Sequence, residues 1–293
     1  MNILILGKGY VGSYLKKYLE TLVVRSEQLD VRVVQRSETD YSTISGFHEL
    51  LDQQWVDFVV NCSGYTGVPN VDACEDAKDL CWDLNVTVPN RIAQICTENS
   101  IPFGQVSSGC IYTGYDKVFT EEDIPNFGLY NTDSSFYSKS KHACELALHD
   151  KEAYIWRIRM PFCNTWSHKN ILNKIYKYDN LISLPNSLTS IYDLCEYIGK
   201  FIGRSYTKDK LPTGTYNVVN DGAMEASTIV DMMRDRGISN DKWSFIPYED
   251  LDIKAHRSNC VLSQDKNKKY GIELPDAVTA VKEALERMSK VTI

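Results

Sequence analysis

What the 293-residue chain lacks narrows it first. No run approaches the ~18 apolar residues that a membrane-spanning helix needs. The apolar N-terminal stretch Met1–Gly7 has no basic leader and meets glycine within a handful of positions, so it reads as a buried strand, not a signal peptide. The nine cysteines are odd in number, scattered and without a C-x-x-C pair. That argues against a disulfide framework or a zinc site and points to a reducing, cytoplasmic compartment. The histidines have no metal-ligand spacing either, and His256 reads as a mere neighbour of Arg257. Basic excess is missing: a net charge of -7 gives no support to nucleic-acid binding, while leaving room for a local basic pocket that takes an anionic small molecule. There is no internal repeat, low-complexity linker or disordered tail. With 43% hydrophobic residues, the chain can bury the core of one large or two medium domains.

What is present starts with a strand at Asn2–Leu6, the turn Gly7-Lys8-Gly9-Tyr10-Val11-Gly12 and a helix over Ser13–Leu19. Glycines there permit a tight turn and close backbone approach to a pyrophosphate, which would rest on the free amides of the helix N-terminus at Tyr10 and Val11. The next apolar run, Val31–Gln35, ends at Arg36 with no acidic residue to hold a ribose 2′-hydroxyl. An arginine there suits a 2′-phosphate, so NADPH is expected over NADH, with NADH as the alternative. A strand over Trp55–Cys62 ends in Asn61-Cys62-Ser63, small polar groups where parallel sheets bind ligands. Asn70 caps or turns the chain before a long helix expected over Lys78–Asn99. The strand Ile101–Ser107 leads to Ser108 and Cys110, a hydroxyl and a thiol two residues apart. Residues Thr113–Ser134 read as a long functional loop.

After that loop, Tyr137 and Lys141 stand four apart on a helix and so share a face. A cation beside a phenol favours the phenolate and lowers its pKa, giving a proton donor able to work near neutral pH. A further strand, Ala153–Arg159, closes at Met160-Pro161. Alternating strands and helices predict an α/β fold, a Rossmann-type doubly wound parallel sheet, over 1–161. Residues 162–293 predict a smaller C-terminal α/β lobe that binds substrate, with some segments packing back on the first domain. Its elements are helices at Lys169–Tyr178, Ile191–Arg204, Ser227–Arg236 and Pro275–Met288, and strands at Leu181–Leu184 and Gly214–Val219. The cleft between the two is the default ligand site.

Gly7-x-Gly9-x-x-Gly12, Ser108 and Tyr137-x-x-x-Lys141 together resemble the extended short-chain dehydrogenase/reductases over essentially the whole chain, although the first turn is one residue shorter than their usual G-x-x-G-x-x-G. Further stretches are similar to the dTDP-4-dehydrorhamnose reductase branch, and closer still to the bifunctional 3,5-epimerase/4-reductases of UDP-L-rhamnose synthesis in plants and giant viruses. They are Gly67–Glu75, Gly109–Tyr112, Pro125–Phe127, Ser135–Lys141, Arg157–Pro161, Leu184–Thr189 and Arg257–Asn259. The resemblance implies that Tyr137 donates a proton to the sugar's carbon-4 ketone oxygen. It implies that Lys141 tunes Tyr137 and holds the nicotinamide ribose, with Pro161 lining the cofactor, and that Ser108 bonds the same ketone oxygen. Cys110 and Lys174 match the family's epimerisation base and acid. A thiol of ordinary pKa about 8.5 serves as a base where its surroundings favour thiolate. Arg257 and Asn259, with Asn70 and Asn186, are the implied substrate contacts; an arginine fork suits a diphosphate. The expected substrate is UDP-4-keto-6-deoxyglucose or a related nucleotide sugar, with a homodimer as a candidate assembly. A 4-keto reductase alone and a non-catalytic nucleotide-binding subunit are the rival readings.

Overall fold

The computed structural model describes residues 1–288 apart from Arg25 and Pro69; Pro69, in the Gly67–Glu75 stretch, therefore lies outside the described residues. Six strands form one parallel sheet: β1 (Asn2–Leu6), β2 (Asp30–Val34), β3 (Phe58–Asn61), β4 (Phe103–Ser108), β5 (Ala153–Ile158) and β6 (Gly214–Asn217). Their spatial order is β6-β5-β4-β3-β1-β2, with parallel pairing throughout. The order reverses at β1, where Leu6 faces Val34 on one side and Asn61 on the other. A crevice opens at such a switch point, beyond the strands' carboxyl ends.

Side chains alternate across a strand, and β1 shows both faces at work. Ile3 and Ile5 enter one core with Leu15 and Leu19 of α1 (Tyr10–Leu19), and with Ile198 and Phe201 from later in the chain. Leu4 and Leu6 enter the opposite core with Phe47 and Leu50 of α2 (Ile44–Asp52), Ile92 and Cys96 of α3 (Val88–Glu98), and Cys144 and Leu148 of α4 (Phe136–Leu148). A run apolar at every position is thus what a strand covered on both faces requires.

The second half of the chain has its own core, where α5 (Ile171–Lys177), α7 (Ala226–Arg234) and α8 (Ala277–Met288) pack through Leu172, Ile229, Met233, Val281 and Leu285. It also supplies the first layer, because β6 extends the main sheet beside β5 and α6 (Ile191–Arg204) packs on α1.

Three elements differ from expectation. The strand expected from Trp55 begins only at Phe58, because Trp55 is exposed and its indole bonds Asp57 in a turn. The strand expected over Leu181–Leu184 shrinks to Asn180–Leu181, paired with Ser244–Phe245. The single helix expected over Lys78–Asn99 runs unbroken to Glu98, but a π turn at Asp83–Thr87 interrupts its α-helical bonding between Lys78–Trp82 and α3. Pro89 explains the π turn: it lacks the N–H that would bond the carbonyl of Asn85, so the helix widens just before it.

Candidate active site

The glycine turn at the end of β1 has its spacing for three separate reasons. Gly7 adopts φ +96, and a Cβ there would meet the Ser63 backbone at 2.9 Å. A Cβ on Gly12 would run into the Gly7 carbonyl oxygen, so this glycine lets α1 sit against the turn. A Cβ on Gly9 would meet nothing within 4 Å, which leaves its face open. Gly9 is also the N-cap of α1 and has no side chain to occupy the first amides, those of Tyr10 and Val11 among them. Free amides at a positive helix end, with one open glycine before them, form a cradle for a pyrophosphate. The Tyr10 side chain turns away and donates to the Cys163 sulfur at 3.1 Å.

Across the switch point, Asn61 is fully buried and shapes the floor. Its Nδ2 donates to Gln105 at 2.8 Å, while its Oδ1 accepts from the Ser63 amide at 3.0 Å and the Ser63 hydroxyl at 2.6 Å. Cys62 beside it is pushed up to about 12 by burial and stays a thiol. Arg36, just beyond β2, is exposed, where a group projecting from the ribose could reach it.

Ser135 starts α4 by accepting the Ser138 amide at 3.1 Å, which aims Tyr137 and Lys141 at the end of β4. The Lys141 ammonium is buried, 5.9 Å from the Tyr137 ring centre, and donates to the Val106 carbonyl at 3.5 Å. The Ser108 hydroxyl lies near enough to the Tyr137 phenol to favour its ionised form, and it accepts the Cys110 amide at 3.2 Å. Serine, tyrosine and lysine thus converge. The expected lowering of the tyrosine is not what the structure gives: burial, followed by the neighbouring Cys110, raises the phenol well above its ordinary value, against the pull of Ser108. The phenol is therefore held protonated, as a donor must be.

Asn85, which sequence reasoning passed over as helix interior, secures this corner from the π turn. Its Oδ1 accepts the Tyr65 amide at 2.7 Å, and its Nδ2 donates to the Tyr65 carbonyl at 2.8 Å and the Ser140 hydroxyl at 3.0 Å. It ties the loop after β3 to the helix that carries Lys141. Pro89, four residues on, was the available signal.

On the other wall stand the groups expected for epimerisation. Cys110 is half-buried, and its sulfur accepts from Arg159 Nη1 at 3.0 Å. Lys174 on α5 is drawn below its ordinary value, first by burial and then by the charges of Lys169 and Arg257, while Cys110 acts in the opposite sense. The expected substrate contacts are engaged within the protein. Arg257 grips Asp72 with both nitrogens, at 2.7 and 2.8 Å. Asn186 donates to Asn259 Oδ1 at 3.0 Å and accepts from Arg159. Asn70 makes a turn by accepting the Asp72 amide at 2.8 Å, and does not cap the helix that starts at Ala73. Pro161 begins a short parallel pairing with Thr189, just after Met160 at φ +38. Arg159 was legible only as part of a family stretch; its burial was not.

The sequence model of the RmlD substrate binding domain matches residues 1–290. The chain belongs to that family. Among RmlD-like proteins, a bifunctional dTDP-4-dehydrorhamnose 3,5-epimerase/dTDP-4-dehydrorhamnose reductase of Arabidopsis thaliana is 31% identical over 299 residues, 97% of this chain and 91% of its own. A UDP-rhamnose synthase of Acanthamoeba polyphaga mimivirus superposes with a TM-score of 0.84 at 27% identity, covering 98% of this chain and 99% of its own. A dTDP-4-dehydrorhamnose reductase of Bacillus anthracis in complex with NADP, 19% identical and covering 99% of both chains, shares the fold with a TM-score of 0.81. Among the described residues of this RmlD-family chain, no His, Cys, Asp and Glu cluster could hold a metal ion, and no helix is long and apolar enough to cross a membrane.

Proposed function

We propose that this RmlD-family protein epimerises UDP-4-keto-6-deoxy-D-glucose at carbons 3 and 5 and reduces the carbon-4 ketone with NADPH, yielding UDP-L-rhamnose. The observation that carries the reduction is the convergence of Ser108 and Lys141 on the Tyr137 phenol, beside a glycine turn with one open face. Nucleotide-sugar 4-keto reduction in rhamnose synthesis is supported by the names of the relatives. The epimerase half rests on Cys110 and Lys174.

The turn Gly7–Gly12, with the amides of Tyr10 and Val11, would hold the pyrophosphate, and Arg36 the 2′-phosphate. When bound, NADPH supplies the hydride for carbon 4. Tyr137 gives its proton to the ketone oxygen, Ser108 positions that oxygen, and the Lys141 ammonium stabilises the phenolate left behind. For epimerisation, the Cys110 sulfur takes a proton from carbon 3 or 5, which the neighbouring ketone acidifies. Lys174 returns a proton on the opposite face. Lowering of Lys174 by burial and like charge makes it a readier donor. Substrate would lie between the sheet's carboxyl edge and the second-half segments that bear Asn186, Arg257 and Asn259, with Asn70 at the near rim. Arg257 would have to exchange Asp72 for a phosphate to contact it.

The test is to incubate purified protein with UDP-4-keto-6-deoxyglucose and NADPH in deuterated water. UDP-L-rhamnose labelled at carbons 3 and 5 is expected. A 6-deoxyhexose without the rhamnose configuration would leave a 4-keto reductase only, and no turnover with either UDP or dTDP substrate would sink the enzyme reading.

A further inference from the structure

Tyr137 and Lys141 belong to a longer stripe. Glu145 follows at the same spacing on α4, so phenol, ammonium and carboxylate share one helix face. The carboxylate is buried, its residue 7% exposed, and the chemistry proposed above leaves it unused. Its partners come from the sheet. Oε1 accepts the Ser107 hydroxyl at 2.6 Å, and Oε2 accepts from Nε and Nη2 of Arg157 at 3.0 and 2.7 Å. Ser107 and Arg157 are register partners across β4 and β5, the last pair but one of that ladder. A single side chain of α4 therefore clamps both strands at their carboxyl ends. The remaining nitrogen of Arg157, Nη1, donates to the Tyr112 hydroxyl at 2.9 Å, and that hydroxyl donates to the Asp123 carbonyl at 2.8 Å. The clamp thus reaches the loop that leads into α4.

Apolar packing alone leaves the placement of α4 loose. Of its eight buried residues, only Ala143, Cys144 and Leu148 are apolar; Ser138, Ser140, Lys141, His142 and Glu145 are the others. Small apolar groups let a helix slide or turn against a sheet, whereas a carboxylate gripped on both oxygens has one placement. Nor is stability the gain from such a pair, because desolvation offsets its attraction and apolar residues of similar volume do as well. What it adds is geometry. β4 meets the stripe with three consecutive residues: the Val106 carbonyl takes Lys141 at 3.5 Å, Ser107 gives its proton to the bond with Glu145, and Ser108 lies beside Tyr137.

We propose that Glu145, clamped by Ser107 and Arg157, is a positioning residue for the reduction: it fixes the rotation and depth of α4 so that Tyr137 and Lys141 meet Ser108 in one geometry. This rests on the reading of Tyr137 as the proton donor. Where reacting groups must align, a misplacement of about 1 Å costs about 10²-fold in rate.

The double variant Glu145→Met/Arg157→Met tests it, because removing both charges together orphans neither. Single-turnover oxidation of NADPH is followed with a UDP-4-keto sugar already in the rhamnose configuration, which needs reduction only. The rate at saturating sugar should fall roughly 10- to 100-fold, while the half-saturating sugar concentration and the Kd for NADPH stay within about twofold. A purely structural pair would lower Tm and leave the rate per NADPH-binding molecule unchanged. Ser107→Ala, which withdraws one hydrogen bond and keeps the ion pair, should lose about three- to tenfold in the same rate. A double variant that binds NADPH and turns over at the wild-type rate, or loses only affinity, overturns the proposal. If the double variant fails to bind NADPH, Ser107→Ala decides, and a wild-type rate there overturns it. Tyr137→Phe run alongside separates the two readings: slow turnover in it leaves the donor standing whatever the clamp does, and wild-type turnover removes the donor and the clamp's role together.

Discussion

At the scale of single residues, the Tyr137 phenol is governed by burial more than by the lysine one turn away. The Lys141 ammonium lies 5.9 Å from the ring centre and donates to the Val106 carbonyl at 3.5 Å, and burial outweighs it at the phenol. The consequence is a tyrosine that stays protonated but releases its proton less readily than an ordinary phenol. Tyr137→Phe should lower the rate of NADPH oxidation by about 10²–10⁴-fold, the usual worth of a positioned acid, while leaving NADPH binding intact. An unchanged rate would remove Tyr137 from the chemistry. The pair itself was legible from spacing alone, because i and i+4 on a helix need no tertiary knowledge. Asn85 and Arg159 were not, since what each does depends on partners 20 to 99 positions away, Tyr65 and Ser258 among them.

At the scale of elements, α4 holds the loop between β4 and itself through Lys139, which donates to the Thr132 carbonyl at 3.2 Å, and through an imidazole. His142 is buried, and its Nδ1 accepts the Leu129 amide at 3.1 Å. Burial draws its pKa down, with Glu145 opposing. A histidine lowered on folding binds fewer protons folded than unfolded, so its contribution is whole above the ordinary value of about 6.5 and erodes as pH falls below it. Urea unfolding should show stability falling from about pH 6.5 downward, and His142→Gln, which keeps an acceptor but cannot titrate, should flatten that slope. A slope unchanged by the substitution would place the titrating group elsewhere. The strands of the main sheet were readable because a doubly covered strand is apolar throughout. The π turn was not, because Pro89 late in a helical pattern marks a boundary only after the neighbouring hydrogen bonds are known.

At the scale of the whole molecule, the segment that carries Arg257 is strapped to the loop after β3. Asp72 takes both arms of the guanidinium and the Ala255 amide at 3.1 Å, and Lys254 pairs with Asp76 next to it. Arg257 holds the Asp72 carboxyl below the usual range, so this contribution is present above about pH 3.9 and is lost as pH falls through the lowered value. The pair is about a quarter exposed, which limits it to roughly 1 kcal/mol. Asp72→Asn should therefore cost only a degree or two in Tm while sharply speeding amide hydrogen exchange over 251–259. Exchange unchanged there would mean that the strap does not hold the segment. Sequence reading divided the chain at 161, and no local pattern could have revealed that Gly214–Asn217 joins the first sheet, because a four-residue strand reads alike whichever edge it joins.

That last strand sets an order on synthesis. Until residue 217 has left the ribosome, β5 has one bare edge, and until residue 201 has done so Tyr154 and Trp156 of the same strand also lack Phe201 of α6. A nascent chain of the first five strands is an open template for pairing with another chain, so shielding by chaperones is most needed over that interval.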